Sequence, residues 1–367
     1  MNVTVRDRDV KPATKLSIID CDIHPTIRNP EDVRQFLPKK WRALHREYGN
    51  FSREPLDTGM YPRITPALSR ADSWPSNGGP PGSDLELMRT QHLDANGVEV
   101  GILIPLATKA GDQRNVAFGR EMTRAINEWQ IGLWLAPEPR LRGSILVAPE
   151  DPEGAAKEIR ERAKDRRFAQ ILLQPRAVEP MGRKRYWPIF EAAVECGLPI
   201  GSHIGGQGGH AVTGSGWPSY YFEDHHAHVH GQQAFVTTLV LGGVFEQFPS
   251  LKFVLTEPGF AWVPALCWRL DKHWQRFRDE VPHLKRPPSE YVRDNIYFTT
   301  QPVDEPERPA DLMTVIDWIG HDKLMFATDY PHWDFDDPRY VFGAANVPKE
   351  IQAKILRENA RRVYGFA

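Results

Sequence analysis

Eight short apolar segments of strand type recur along the chain, and most are separated by stretches with helical periodicity. No other feature constrains the fold as much. The strand-type segments are 16–25, 98–105, 141–147, 168–174, 199–203, 252–257, 296–300 and 323–327. The helical ones are 85–96, 115–134, 152–164, 186–196, 232–248, 260–278, 310–319 and 349–364. Regular βα alternation calls for a parallel sheet. Eight units of it point to the α/β class and a closed (β/α)8 TIM barrel rather than an open sheet. The 367 residues suit one such barrel with insertions. No internal repeat or low-complexity segment argues otherwise.

A single domain over 1–367 is therefore expected, with about 26–82 as an insertion after the first strand. That insertion is rich in Pro and Gly, contains Tyr61 and Trp74, and has one short helix expected over 32–48. A loop of this length in a compact domain is usually functional, as a lid or a subunit contact.

Charged residues make up 26% and the formal net charge is −2, so nothing draws the chain as a whole to nucleic acid or to an anionic membrane. No apolar run approaches the roughly 18 residues needed to span a bilayer. Residues 1–15 are polar and charged and lack the apolar core of a secretory signal, so a cytoplasmic protein is expected. The three cysteines, Cys21, Cys196 and Cys267, are far apart, which excludes a Cys-x-x-Cys zinc site and a disulfide framework.

In a barrel of this kind the chemistry sits at the C-terminal ends of the strands. The first strand ends in Asp22-Ile23-His24-Pro25. Side chains alternate along a strand, so Asp22 and His24 point to one side, while Cys21 has the opposite parity and is expected to pack behind the barrel wall. The Asp–His pair suits a metal, or equally a hydrogen-bonded structural pair. The fifth strand ends in His203, the sixth in Glu257, and Asp329 follows the eighth. Burying so many ionisable groups together is costly without a cation, and the convergence favours a metal site. The ligand set Asp22, His24, His203 and Asp329 offers only nitrogen and oxygen. It suits one Zn²⁺, with Mn²⁺ as the alternative and a position left open for water or substrate. The fourth strand end, Leu173-Gln174-Pro175-Arg176, has no Lys to bridge a second ion.

Five segments together resemble the amidohydrolase superfamily, in the branch of aminocarboxymuconate-semialdehyde decarboxylase and related aromatic-acid decarboxylases. They are 19–24 (Ile-Asp-Cys-Asp-Ile-His), 199–203 (Pro-Ile-Gly-Ser-His), 243–252, 326–332 (Phe-Ala-Thr-Asp-Tyr-Pro-His) and 355–360. The resemblance implies a (β/α)8 barrel with one divalent metal on Asp22, His24, His203 and Asp329, and Asp329 as general acid/base. Two positions depart from it. The first ligand is Asp22 where relatives often have His or Glu, and the sixth strand ends in Thr256-Glu257-Pro258-Gly259 where relatives often have His-Gly. Glu257 is thereby a candidate to orient a ligand His, or to hold substrate or water.

Further candidates surround this set. His225, His226, His228 and His230 form a dense cluster that reads as a solvated loop contributing one useful His, with His228 or His225 the substrate contact. His332 lies three residues past Asp329. Arg53, Arg63 and Arg176 are candidates to clamp a substrate carboxylate, and the Gly-rich loop 205–210 is a candidate to bind one through its backbone amides or simply to make room for substrate.

The resemblance favours non-oxidative decarboxylation of an aromatic or unsaturated carboxylic acid. The same residues serve hydrolysis of a lactone, ester, amide or carbon–carbon bond by metal-activated water. A non-catalytic barrel has no need of this ligand set. The expected partners are a small carboxylic acid or cyclic ester or amide, with no nucleic acid or membrane, and a second copy of the chain in a homodimer.

Overall fold

The computed structural model describes residues 17–49, 66–106, 110–205, 211–342 and 347–366. The eight strands are β1 (Ile18–Ile23), β2 (Val98–Leu103), β3 (Leu141–Leu146), β4 (Phe168–Leu173), β5 (Ile200–His203), β6 (Phe253–Thr256), β7 (Ile296–Thr299) and β8 (Leu324–Met325). Each pairs in parallel with the next, in chain order. The ring closes beyond β8, where an irregular segment runs beside β1. Cys21 N donates to Phe326 O at 2.9 Å, Asp329 N to Asp22 O at 3.1 Å, and His24 N to Tyr330 O at 2.8 Å. This is the (β/α)8 barrel expected from the sequence, with every strand in its expected place.

The helices depart more often. The helix expected over 32–48 is two, Pro30–Arg34 and Lys39–Tyr48, because Pro38 cannot continue the first. Pro288–Asn295 is a helix that the sequence reading did not anticipate. The largest correction is the helix Tyr221–Leu241, which starts eleven residues before the expected 232. The histidines 225–230 therefore ride on its first turns instead of a solvated loop. Glu223 makes this start possible, because its carboxylate accepts from the backbone N–H of Ser219 and Tyr220.

Two hydrophobic clusters hold the barrel. The larger fills the space between strands and helices. The smaller lies inside the ring and comprises Ile19, Cys21, Val100, Ile102, Ala169, Val254, Tyr297, Met325 and Ala327, closed from below by Ala360 and Val363 with Tyr364 and Phe366 packed against it. Cys21 is thus in the barrel interior and not behind its wall. The cause is in the pairing of β1 with β2. Asp20 pairs with Gly101 and Ile23 with Leu103, so β1 spends one residue more than β2 over this interval. Such a bulge breaks the strict alternation. Asp20 turns outward, to His92 and Thr328, whereas Cys21, Asp22 and His24 all turn inward.

The described part of the insertion packs on the C-terminal end of the barrel. Ser69 and His332 form an antiparallel bridge, Arg70 N donates to Pro331 O at 3.0 Å, and Trp333 N donates to Leu68 O at 3.0 Å. Thr26 N donates to Gly82 O at 2.8 Å. Gly82 has φ +74°, and a Cβ there would lie 2.3 Å from His24 O, so only glycine fits this approach to the end of β1.

Candidate metal centre

The strand ends deliver the expected residues to one place. His24 Nε2 lies 3.1 Å from Asp22 Oδ1 and 2.7 Å from Asp329 Oδ1. His203 Nε2 lies 3.9 Å from Asp22 Oδ2 and 2.6 Å from Glu257 Oε2. His332 Nδ1 reaches Asp329 Oδ1 at 2.6 Å. Asp22, His24, His203, Glu257 and Asp329 are all buried.

Both central imidazoles are fixed from behind. His24 Nδ1 donates to Ile104 O and His203 Nδ1 to Ile204 O, each at 2.8 Å. A carbonyl only accepts, so each ring carries a proton on Nδ1 and turns Nε2 into the cluster, where, once deprotonated, it offers its lone pair as metal-ligating histidines do. Both Nε2 atoms and both oxygens of Asp22 are buried and make no hydrogen bond. Orphaned atoms of this kind are rare in proteins, and two lone-pair nitrogens facing carboxylate oxygens are what a divalent cation satisfies.

The electrostatics agree. Burial pushes the Asp22 and Asp329 carboxyls well above the usual range, and the neighbouring Glu257 pushes Asp329 further. Burial holds His24 and His332 below the ordinary imidazole value. Burial also disfavours a charged His203, but the Glu257 carboxylate outweighs it and lifts that imidazole to about 9.

Two backbone positions are strained in the same place. Glu257 has φ +64° and Asp329 φ +65°, in the left-handed region that non-glycine residues seldom adopt. Strain of this kind persists where the surroundings enforce it and clusters at functional sites. Thr299 Oγ1 accepts from Glu257 N at 3.1 Å, and Asp329 N is held by the Asp22 carbonyl.

A second edge of the cluster joins Glu257 to His225 and Asp334, whose candidate ligand atoms lie within 4.8 Å of one another. His225 Nε2 is 3.3 Å from Asp334 Oδ2. His228 belongs to neither edge: its Nε2 is 3.9 Å from Asp224 on its own helix. Arg53 and Arg63 lie outside the described residues. Arg176 Nε donates to Gly205 O at 3.1 Å beside an open recess of about 420 Å³ at the ends of β3 and β4, which the cluster residues do not line.

Three residues escaped the sequence reading. Asp334 lies two positions past His332, inside a segment already singled out. Gln301 Nε2 spans Asp329 Oδ2 at 3.4 Å and Asp334 Oδ2 at 3.2 Å, and no local pattern marks it. Asp20 accepts from Asp22 N at 3.1 Å, Thr328 N at 3.0 Å, Thr328 Oγ1 at 2.5 Å and His92 Nε2 at 2.7 Å. Its nearness to Asp22 in sequence was the available signal.

A parallel barrel with this set of imidazoles and carboxylates at its strand ends defines a class, and the amidohydrolase family (Amidohydro_2) matches residues 19–366. The chain belongs to that family and is an enzyme. Among its relatives, the gamma-resorcylate decarboxylase of Polaromonas sp. (strain JS666) is 26% identical over 299 residues, covering 77% of this chain and 87% of the relative. The fold matches 5-carboxyvanillate decarboxylase from Sphingomonas paucimobilis with a TM-score of 0.70 at 24% identity, covering 96% of this chain and all of that one. It also matches the Polaromonas dihydroxybenzoic acid decarboxylase, solved with manganese and the inhibitor 2-nitroresorcinol, with a TM-score of 0.66 at 21% identity, covering 95% and 97% of the two chains. Among the described residues, no helix is long and apolar enough to cross a membrane.

Proposed function

We propose that this enzyme is a metal-dependent, non-oxidative decarboxylase of an aromatic carboxylic acid. The observation that carries the reading is the set of buried ligand atoms without hydrogen-bond partners on Asp22, His24 and His203, with the Asp329 carboxylate held against them. Asp22, His24, His203 and Asp329 would hold one divalent cation. Once bound, it would supply a Lewis acid for the substrate's carboxylate and for charge developing in the transition state. Manganese in a solved neighbour and the mixed nitrogen–oxygen donor set make Mn²⁺ the first ion to test, with Zn²⁺ second.

The protein's own residues then have separate tasks. Asp329 delivers a proton to the ring carbon that loses CO2. His332, hydrogen-bonded to Asp329 Oδ1, and Gln301, on Oδ2, keep that carboxyl aimed. Glu257 orients His203. The insertion of about 26–82, anchored on the loop that carries His332, serves as a lid that keeps water out. We further propose a homodimer, on the strength of an insertion long enough to serve as an arm.

The test is metal analysis of the purified protein, joined to a CO2-release screen over hydroxybenzoates after Mn²⁺ or Zn²⁺ loading. About one metal per chain with CO2 released supports the proposal. A stably bound metal without CO2 from any acid moves the reading to hydrolysis of a lactone or amide. A protein that refuses both metals overturns the ligand set.

A further inference from the structure

We propose that His225, tethered by Asp334, is the specificity-determining residue that binds an oxygen substituent of the substrate ring remote from the metal-binding edge. This rests on the reading above only in taking the ligand to be an aromatic acid.

The charge balance calls for such a contact. The cluster contains four carboxylates, on Asp22, Glu257, Asp329 and Asp334. One divalent cation offsets two of these charges, and the substrate brings at least one more. Among the described residues, no Lys or Arg forms an ion pair with any of the four carboxylates, and their ion-pair partners are imidazoles. A second anionic group on the ligand therefore needs an imidazole that the metal shell does not use.

His225 is placed to be that imidazole. His24 and His203 use Nδ1 on backbone carbonyls and Nε2 on the ligand cluster. His332 uses Nδ1 on Asp329, and its ring is stacked on His24 with centroids 4.5 Å apart. His225 differs from His24 and His203 in leaving one nitrogen free, and from His332 in pairing with a carboxylate outside the proposed ligand set. Its Nε2 faces Asp334, its Nδ1 makes no hydrogen bond among the described residues, and its side chain is 30% exposed. The Asp334 carboxylate, hydrogen-bonded to this ring, lifts it above the usual imidazole range. It lies in the second turn of the helix Tyr221–Leu241, where the helix dipole adds positive potential.

Its neighbours suit a flat ligand. The rings of Tyr221 and Trp333 flank it, each with its centroid 5.6 Å from that of His225. Trp333 Nε1 donates to the Tyr221 hydroxyl at 2.9 Å and locks the two walls together. Tyr221 and Trp333 also touch each other, with centroids 6.2 Å apart, so an aromatic acid whose carboxylate faces the metal ligands would lie against this aromatic patch and bring a substituent on its far edge to His225.

The experiment uses the full-length, Mn²⁺-loaded protein and calorimetric binding of salicylate and of salicylates bearing a second carboxylate at ring position 3, 4 or 5. At least one of these diacids should bind about tenfold tighter than salicylate, the worth of one charge-assisted hydrogen bond. His225→Gln should reduce that preference to within about twofold, leaving the salicylate affinity and the manganese content unchanged, and Asp334→Asn should reduce it partly. His228→Gln should keep it. The inference is overturned if wild type shows no preference, if His225→Gln retains it, or if His225→Gln weakens all the acids equally. Failure of every acid to bind the manganese-loaded wild type would overturn the aromatic-acid reading itself, a result distinct from the others.

Discussion

The two ends of the barrel treat their carboxylates in opposite ways. At the N-terminal end of the strands, Glu138 accepts hydrogen bonds from Arg140 and Arg89, which hold its carboxyl at about 2. Glu99 is similar: burial alone would raise it, but hydrogen bonds from Arg357, Arg361 and Ser17 outweigh burial and bring it to about 2. At the C-terminal end, Asp22 and Asp329 have imidazoles and other carboxylates for company, and burial pushes both far upward. Between the two ends lies the small apolar cluster inside the ring. One end is built to be stable with the residues it has, whereas the other is complete only when something positive is added. This division matches the general rule for parallel barrels, in which the bottom stabilises and the top reacts.

The largest expected effect breaks the top without touching the bottom. Asp329→Asn should lower turnover about 10²- to 10⁴-fold, the range for loss of a general acid. Removing one of several crowded carboxylates should leave the metal-free protein as stable as before, or more so. A clear drop in its melting temperature would place Asp329 among the structural residues instead. Ile102→Ala is the reverse case. Ile102 is fully buried in the inner cluster, and the change should cost about 2–5 kcal/mol of stability in a denaturant titration. Turnover per folded molecule should be unchanged.

Asp20 sharpens the comparison because it touches both regimes. Asp20→Ala strands the His92, Thr328 and Asp22 donors and should cost about 1–3 kcal/mol. It should also weaken Mn²⁺ binding about 10- to 100-fold, as loss of a supporting hydrogen bond behind a ligand does. An unchanged manganese affinity would confine Asp20 to folding. The smallest effect concerns acid. The folded-state value of Glu138 is depressed to about 2, so its contribution is complete above the ordinary glutamate value and is lost as pH falls from there toward about 2. Glu138→Gln should remove on the order of 1–2 kcal/mol at neutral pH and flatten the acid limb of a melting-temperature profile. An acid limb as steep as that of wild type would show that Arg140 and Arg89 do not hold this charge.

The strands were legible because each is a short apolar run, and the residues at four of their ends lie where the chain order and the alternation place them. Asp22, His24, His203, Glu257 and Asp329 followed from that rule alone. The helix Tyr221–Leu241 was half hidden because its first turns, Tyr-Phe-Glu-Asp-His-His-Ala-His-Val-His, lack a continuous apolar face. That concealed the place of His225 beside Asp334. Gln301 was invisible for a different reason: it matters through two carboxylates about thirty positions away, and only the closed ring brings them to it. The interior position of Cys21 was misread because strict alternation holds only where the two strands spend residues at equal rates, and β1 does not.

That unequal count in β1 has a consequence for how the site can change. The aim of Asp22 depends on the number of residues before it as much as on its own chemistry. Deleting Cys21 alone would leave every acid and imidazole of the mouth in the chain. It would also restore plain alternation and, with Asp20 held by its hydrogen bonds to His92 and Thr328, draw the first carboxylate into the place of Cys21, one residue short of its partners. Substitution in β1 alters one side chain at a time, whereas a change of one residue in its length displaces the site at a stroke.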